Sequence, residues 1–253
     1  MRTNTTQGPY DAELIETCKK ITHPGRGILA ADESVATIGK RFAPLGIPND
    51  QEHRRKYREL LFRTKGLGQY VSGVICFEET LYEKSPDGTT FVDLLKAEGI
   101  VIGIKVDKGQ QPLASGIPEE TTTDGMDGLS KRVADYYKQG ARFAKWRAVI
   151  IIDEKTGAPS DLAIEEQTRG LARYASICQQ GGLVPVVEPE VLMDGKHSIE
   201  VAARVTERVW AAQVKALHEH GCLLEGLLLK PNMVRSGEAA EKQASIQEIA
   251  AAT

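Results

Sequence analysis

Several charged side chains of this sequence directly follow short apolar runs, and the sharpest of them is Lys230. It ends the segment LEGLLLK at residues 224–230 and precedes Pro231. An ammonium group is costly in apolar surroundings, so the leucines favour a lysine that is partly neutral near pH 7. A neutral lysine attacks carbonyl carbons and forms a Schiff base, whose protonated form withdraws electrons from a neighbouring C–C bond. We therefore predict that Lys230 is a nucleophile for making or breaking C–C bonds.

Carboxylates at two other apolar runs supply the proton transfers that imine chemistry needs. Glu188 and Glu190 follow the run GLVPVV at residues 182–187. Imine formation expels hydroxide from a carbinolamine, and a carboxyl group at an apolar strand end can donate and retrieve that proton. Asp32 ends the run GILAA and is available to handle a substrate hydroxyl.

Cations form the third group of candidate site residues. Lys105, Lys145 and Arg147 all lie at or near the ends of apolar runs. Lys145 and Arg147 are two residues apart, so both point to the same side of a strand. Cations beyond those that the chemistry needs indicate an anionic substrate, most simply a phosphate ester.

Short apolar runs alternate with amphipathic stretches along most of the chain. The six runs occupy residues 27–32, 70–77, 100–106, 141–147, 182–188 and 225–230. Helix start signals stand at Asp50, Ser160 and Ser198, with glycines that can end helices at Gly181 and Gly221. The alternation predicts an α/β fold with a parallel sheet, either a doubly wound open sheet or a (β/α)8 TIM barrel. The barrel explains the charges, because its strand ends converge on one mouth.

Two local predictions accompany this fold. The helix that begins after Asp50 is expected to bury Tyr57, Leu60 and Leu61 on one face. The polar stretch 108–128 is expected to be irregular. The segment 25–30 matches the glycine pattern of dinucleotide-binding loops, but it opens a strand instead of a helix, which argues against a nucleotide site.

Composition limits the function classes. The chain has 253 residues, a formal net charge of -3 and 41% hydrophobic residues. It lacks the basic footprint of a nucleic-acid-binding protein, and its apolar runs are too short to span a membrane. Its four cysteines form no C-x-x-C pair, which indicates reduced thiols in a cytosol-like compartment. His218 and His220 lie two apart on a predicted helix, so a metal-dependent lyase is disfavoured.

Long blocks of the sequence resemble the eukaryotic type of class I fructose-bisphosphate aldolase. The blocks are GRGILAADES (25–34), SGVICFEETLY (72–82), GIKVDKG (103–109), GARFAKWRAV (140–149), LARYASICQ (171–179), GLVPVVEPE (182–190) and LLKPNMV (228–234). The resemblance implies a TIM barrel that cleaves fructose 1,6-bisphosphate reversibly to dihydroxyacetone phosphate and glyceraldehyde 3-phosphate. It also implies a homotetramer with no metal or other cofactor. From the charge, the short apolar runs and the lack of a visible transit segment we expect a cytoplasmic protein with no nucleic-acid or membrane partner.

The resemblance assigns roles to individual residues. It implies that Lys230 forms the Schiff base, that Glu188 with its neighbour Glu190 serves the dehydration step, and that Asp32 assists C–C cleavage at the C4 hydroxyl. It further implies that Lys145 is a catalytic residue that also contacts the substrate. The implied substrate and phosphate contacts are Lys105, Arg147, Arg54, Ser34 and Thr37.

The sequence departs from the family in extent. About six strand–helix units are counted, whereas a closed barrel of this type has eight. We therefore expect residues 1–253 to form a single, C-terminally truncated aldolase barrel domain. An alternative is a catalytically impaired aldolase fragment that acts only as a binding protein.

Overall fold

The computed structural model of the chain describes residues 8–114 and 117–253. Its main element is a six-stranded parallel sheet with the order β1-β2-β3-β6-β7-β8. These strands are β1 (Gly27–Ala31), β2 (Val71–Cys76), β3 (Val101–Lys105), β6 (Phe143–Ile150), β7 (Val184–Val191) and β8 (Leu228–Leu229). Each lies within or overlaps one of the six predicted runs, so the predicted parallel α/β sheet is confirmed.

Helices lie between the strands. They are α1 (Asp11–Ile21), α2 (Val35–Phe42), α3 (Gln51–Phe62), α4 (Glu78–Leu81), α5 (Phe91–Ala97), α6 (Leu129–Gln139), α7 (Asp161–Gln180), α8 (Ile199–Glu219) and α9 (Ile246–Ala252). The side chains of Asp50, Ser160 and Ser198 each accept a hydrogen bond from a first-turn amide of α3, α7 and α8. The predicted helix starts are therefore correct, and the same capping chemistry explains them.

The sheet curls into an incomplete barrel of six strands. Gly73 on β2 and Gly103 on β3 leave room for the ring of Phe143 on β6. A Cβ on Gly103 would lie 2.3 Å from that ring, so only glycine fits there. Phe143 is fully buried, and its ring packs against both glycines.

Two local predictions are wrong. The stretch 108–128 is not irregular throughout: its described residues include an antiparallel hairpin of β4 (Gly109–Pro112) and β5 (Thr121–Asp124). The three consecutive threonines of β5 favour a strand, and Thr123 Oγ1 donates to the backbone oxygen of Arg147 at 3.1 Å, which ties the hairpin to β6.

The buried face of α3 also differs from the prediction. Leu60 is 70% exposed, whereas Arg58 and Phe62 are buried. Arg58 donates to the backbone oxygen of Glu33 at 3.0 Å and to its carboxylate. This ion pair lets a charged residue take the inward position, because burial of a charge is tolerated where it is paired and hydrogen-bonded.

Candidate active site

A cavity of about 620 Å³ opens at the carboxyl ends of the parallel strands. Nine of the ten predicted site residues line it: Asp32, Ser34, Thr37, Lys105, Lys145, Arg147, Glu188, Glu190 and Lys230. Asp32 directly follows β1, and Lys230 directly follows β8. Lys105 is the last residue of β3, and Lys145 and Arg147 lie in β6. The curl of the sheet thus brings together residues that are up to 198 positions apart.

Four of these side chains form a row of alternating charge. Lys230 Nζ donates to Glu188 Oε1, and Lys145 Nζ lies 3.3 Å from Glu188 Oε2. Lys145 Nζ also donates to Asp32 Oδ2 at 2.9 Å. The side chains of Asp32, Lys145 and Glu188 are all buried. Burial opposes the charge on Lys145, but the carboxylates of Asp32 and Glu188 outweigh it and raise the pKa of Lys145.

One carboxylate oxygen in this row has no hydrogen bond. Glu188 Oε2 is buried, and its 3.3 Å ion pair with Lys145 lacks the geometry of a hydrogen bond. An unbonded buried acceptor is costly, so this oxygen is ready to accept a donor. A substrate hydroxyl or a transferred proton would satisfy it.

Lys230 does not have the apolar surroundings that the sequence predicts. Its side chain is 48% exposed and is bound to Glu188. The strand β8 is an edge of the described sheet, and the preceding Leu229 is itself 45% exposed. The immediate partner of the amine is therefore a carboxylate and not the preceding leucines.

The expected surplus of cations is also absent from the cavity wall. Six acidic and five basic residues line it: Asp32, Glu33, Glu78, Asp107, Glu188 and Glu190 against Lys105, Lys108, Lys145, Arg147 and Lys230. Arg147 Nε pairs with Glu190. Burial alone would lower the pKa of Arg147, but the carboxylate of Glu190 outweighs it, so the pKa is raised. An anionic ligand would have to share these cations with carboxylates already in place.

The remaining predicted residues divide into two groups. Ser34 is the N-cap of α2, where its Oγ accepts from Thr37 N at 3.3 Å and lies 3.0 Å from Thr37 Oγ1. Both hydroxyls line the cavity. Arg54 does not line it: its Nη2 donates to Glu79 Oε2 at 2.7 Å, and its Nη1 donates to the backbone oxygen of Asn49 at 3.0 Å.

Several further cavity residues were not assigned to the candidate site from the sequence. Glu33 accepts from both Arg41 and Arg58, and Asp107 accepts from Lys105. Glu78 accepts from Lys108 Nζ at 2.6 Å and from Tyr136 Oη at 2.6 Å. A signal was present for the acidic residues, because each lies within two residues of a strand end.

Within residues 8–114 and 117–253, no group of three or more His, Cys, Asp or Glu side chains is placed to hold a metal ion. None of the helices in those ranges is long and apolar enough to cross a membrane.

Comparison with known proteins places this cavity in a family. Residues 13–253 match the model of the fructose-bisphosphate aldolase class-I family. The chain is 60% identical over 238 residues to fructose-bisphosphate aldolase 1 of Toxoplasma gondii and 58% identical over 239 residues to the cytosolic fructose-bisphosphate aldolase 5 of Arabidopsis thaliana. Each match covers 94% of this chain but only 65% of the relative.

A solved structure agrees with the sequence match. It is fructose-bisphosphate aldolase from Plasmodium falciparum in complex with TRAP and a small-molecule inhibitor, which is 53% identical with a TM-score of 0.95. The superposition covers 98% of this chain and 72% of that one. All the cavity residues lie inside the segment that the family model matches, and the chain belongs to the class-I fructose-bisphosphate aldolase family.

Proposed function

We propose that this chain is an aldehyde-lyase that cleaves fructose 1,6-bisphosphate reversibly to dihydroxyacetone phosphate and glyceraldehyde 3-phosphate through a Schiff base on Lys230. The observation that carries the proposal is the row Lys230–Glu188–Lys145–Asp32, which brings two residues inside β6 and β7 together with the residues that directly follow β1 and β8 in one cavity. Its groups alternate in charge, so each can pass or hold a proton next to its neighbour.

Imine formation begins at the Lys230–Glu188 contact. The ammonium of Lys230 donates to Glu188 Oε1, so the carboxylate is placed to take that proton and leave a neutral amine. The amine nitrogen then bonds to the ketone carbon C2, and one of its protons moves to the carbonyl oxygen, which becomes a hydroxyl. Glu188 returns a proton to that hydroxyl, which leaves as water as the C=N bond forms. Glu190 lies two residues further along β7 and pairs with Arg147, which is opposite Glu188 in the register of β6 and β7.

Cleavage then uses the opposite end of the row. Asp32 takes the proton of the C4 hydroxyl, the C3–C4 bond breaks, and its electron pair moves into the protonated imine to give an enamine. The aldehyde product leaves with the former C4 as its carbonyl carbon. Protonation of the enamine at C3 and addition of water to the imine release dihydroxyacetone phosphate. Lys145 lies between Asp32 and Glu188 and balances both negative charges.

The phosphate groups are assigned to the polar ends of the cavity. Lys105 and Arg147 supply cations, and the hydroxyls of Ser34 and Thr37 supply hydrogen bonds at the start of α2. Arg54 reaches a phosphate only if its guanidinium leaves Glu79.

The second candidate function is a protein that binds sugar phosphates or macromolecular partners without turnover. The exposure of Lys230 favours it, because a half-exposed amine directly after a two-residue edge strand is held loosely. The two candidates differ in whether the imine forms and whether the C–C bond then breaks.

Borohydride trapping separates them. The protein is incubated with dihydroxyacetone phosphate, reduced, digested and analysed by mass spectrometry, and cleavage of fructose 1,6-bisphosphate is assayed in parallel. Aldolase function requires the reduced adduct on Lys230 and measurable cleavage, with both lost in Lys230→Arg and retained in Lys131→Arg on the exposed face of α6. An adduct without cleavage supports the second candidate, and an adduct on another lysine, or none, contradicts the Schiff-base assignment.

Assembly and location extend the proposal. The chain is taken as a single domain that forms a homotetramer in the cytosol, in keeping with a relative named as cytosolic and with four buried cysteines. Light scattering after size-exclusion chromatography measures the oligomeric state. A single unfolding transition that coincides in fluorescence and circular dichroism would support the single domain.

A further inference from the structure

We propose that Asp107 is a positioning residue for the phosphate-binding cations Lys105 and Arg147. Its buried carboxylate fixes the ammonium of Lys105 and accepts a hydrogen bond from the backbone N–H of Arg147. This inference rests on the proposed function, because it assigns Lys105 and Arg147 to a phosphate group of the substrate.

The contact with Lys105 is made twice. Lys105 is the last residue of β3, and Asp107 lies two positions beyond it. Lys105 Nζ donates to Asp107 Oδ1 and also to the backbone oxygen of Asp107 at 3.1 Å. The Asp107 side chain is only 4% exposed and that of Lys105 is 17% exposed. A long, flexible lysine side chain is thereby held in one direction, towards the cavity that both residues line.

The same carboxylate joins two strands. Asp107 Oδ2 accepts from the backbone N–H of Arg147 at 3.4 Å, and Oδ1 accepts from Gly109 N at 3.3 Å. The last paired residues of β3 and β6 are Lys105 and Lys145, followed by a bond from Val106 N to the Lys145 oxygen at 3.0 Å. Asp107 therefore continues the connection between these strands after the regular pairing ends, and it places Lys105 and Arg147 relative to each other.

Pre-ordering of this kind affects binding. A cation that is already fixed loses less conformational freedom when a phosphate arrives, and each such side chain changes affinity by about two- to tenfold. The carboxylate also offsets the repulsion between Lys105 and Arg147 while the cavity is empty. A purely structural Asp107 would act through the Arg147 and Gly109 amides alone, and its loss would affect folding without any dependence on Lys105.

The substitution Asp107→Asn removes the charge that holds Lys105 and keeps one carbonyl oxygen, which can accept from the Arg147 amide while the Gly109 amide loses its acceptor. The Lys105→Met background separates the two roles, because an effect that acts through a backbone amide does not depend on Lys105. The half-saturating concentration of fructose 1,6-bisphosphate for borohydride trapping is measured for the unmutated chain, Asp107→Asn, Lys105→Met and the double variant. We expect Asp107→Asn to raise that concentration about three- to tenfold with the saturating yield unchanged. In the Lys105→Met background the same change is expected to have no further effect.

Additive effects, no shift for Asp107→Asn, or a loss of saturating yield without a change in half-saturation would each overturn the proposal. The matched control is Asp135→Asn, an exposed carboxylate that pairs with Lys131 on α6. The expected half-saturation for that variant is that of the unmutated chain.

Two readouts keep this test independent of the Schiff base and of variant folding. Line broadening of the 31P signal of inorganic phosphate reports binding without an imine, and the same non-additive pattern is expected there. If trapping fails in the unmutated chain but this pattern holds, the proposed function fails and the positioning role stands. In the unmutated chain, 15N spectra of the lysine ammonium groups should show a slowly exchanging Lys105 signal, assigned by its loss in Lys105→Met. Rapid exchange of that signal would contradict a fixed ammonium even if Asp107→Asn does not fold.

Discussion

The ammonium of Lys145 lies 2.9 Å from the carboxylate of Asp32, although β2 and β3 separate the strands that carry them. In a flat sheet three strand spacings amount to about 14 Å, too far for this contact between an aspartate and a lysine that also holds Glu188. The contact therefore depends on the curl of the sheet and ties its concave face together.

Removal of the Lys145 charge should destabilise the fold. Lys145→Met leaves Asp32 and Glu188 buried without their shared cation, and breaking a buried pair costs about 3–5 kcal/mol. Urea unfolding at pH 7 measures the change. Lys131→Met is the control, since Lys131 is 85% exposed and water screens its ion pair with Asp135. A cost below about 1 kcal/mol for Lys145→Met would show that water reaches these carboxylates.

The two ends of the charged row should separate kinetically. Asp32→Asn removes the base proposed for the C4 hydroxyl, so cleavage of fructose 1,6-bisphosphate should fall by about 10²- to 10⁴-fold relative to the unmutated chain. Borohydride trapping of dihydroxyacetone phosphate on Lys230 should persist, because Glu188 serves that step. Asp135→Asn provides a matched exposed control. Equal loss of trapping and cleavage would argue against this division of roles.

Glu83 should make stability depend on pH. Glu83 is buried, and neither of its carboxylate oxygens has a hydrogen bond. Burial, and to a smaller extent the negative charge of Glu79, raises the pKa of Glu83 from 4.5 to about 7. The nearby amide of Gln51 and the guanidinium groups of Arg55 and Arg54 oppose this shift without reversing it.

The sign follows from proton binding. Between pH 4.5 and 7 the folded state holds the Glu83 proton more tightly than the unfolded state, so stability falls as pH rises through this window and stays lower above it. Glu83→Gln mimics the protonated form and should stabilise the chain by about 1–3 kcal/mol at pH 8, with little effect near pH 4.5. Urea titrations at both pH values measure it, with Glu16→Gln on the exposed face of α1 as control. Equal effects at both pH values would contradict the assignment.

The glycine under Phe143 should be irreplaceable. Gly103→Ala places a methyl group 2.3 Å from the ring, and overpacking of this kind costs about 1–3 kcal/mol. Gly27→Ala on β1 is the matched control, because nothing lies within 4 Å of the added atom. Thermal unfolding compares the two, and similar melting temperatures would mean that Phe143 moves aside without cost.

Sequence patterns predicted the six parallel strands, because short apolar runs and helix caps are local signals. Charged residues at strand ends gave seven of the nine predicted residues of the cavity, since such residues meet when the sheet curls, and the family resemblance added Ser34 and Thr37. Long-range pairing was not predictable in the same way. The partners of Arg54 and Arg58 lie 25 positions away, and the exposure of Lys230 depends on the position of β8 in the sheet. The roles of the cavity residues stay predictions until the substitutions above are measured.

The pairing of β8 with its neighbour is very short. Leu228 and Leu229 pair with Val186 and Val187, and Lys230 N donates to the Val187 oxygen at 2.9 Å. Such a brief ladder opens more readily than the eight-residue pairing of β6 with β7. Deuterium uptake at the Leu229 and Lys230 amides should therefore outpace uptake at Val186 and Val187. Each local opening would move the Lys230 amine away from Glu188, while Glu188 keeps its contact with Lys145. The lifetime of the closed ladder therefore limits how long Lys230 stays in position to react.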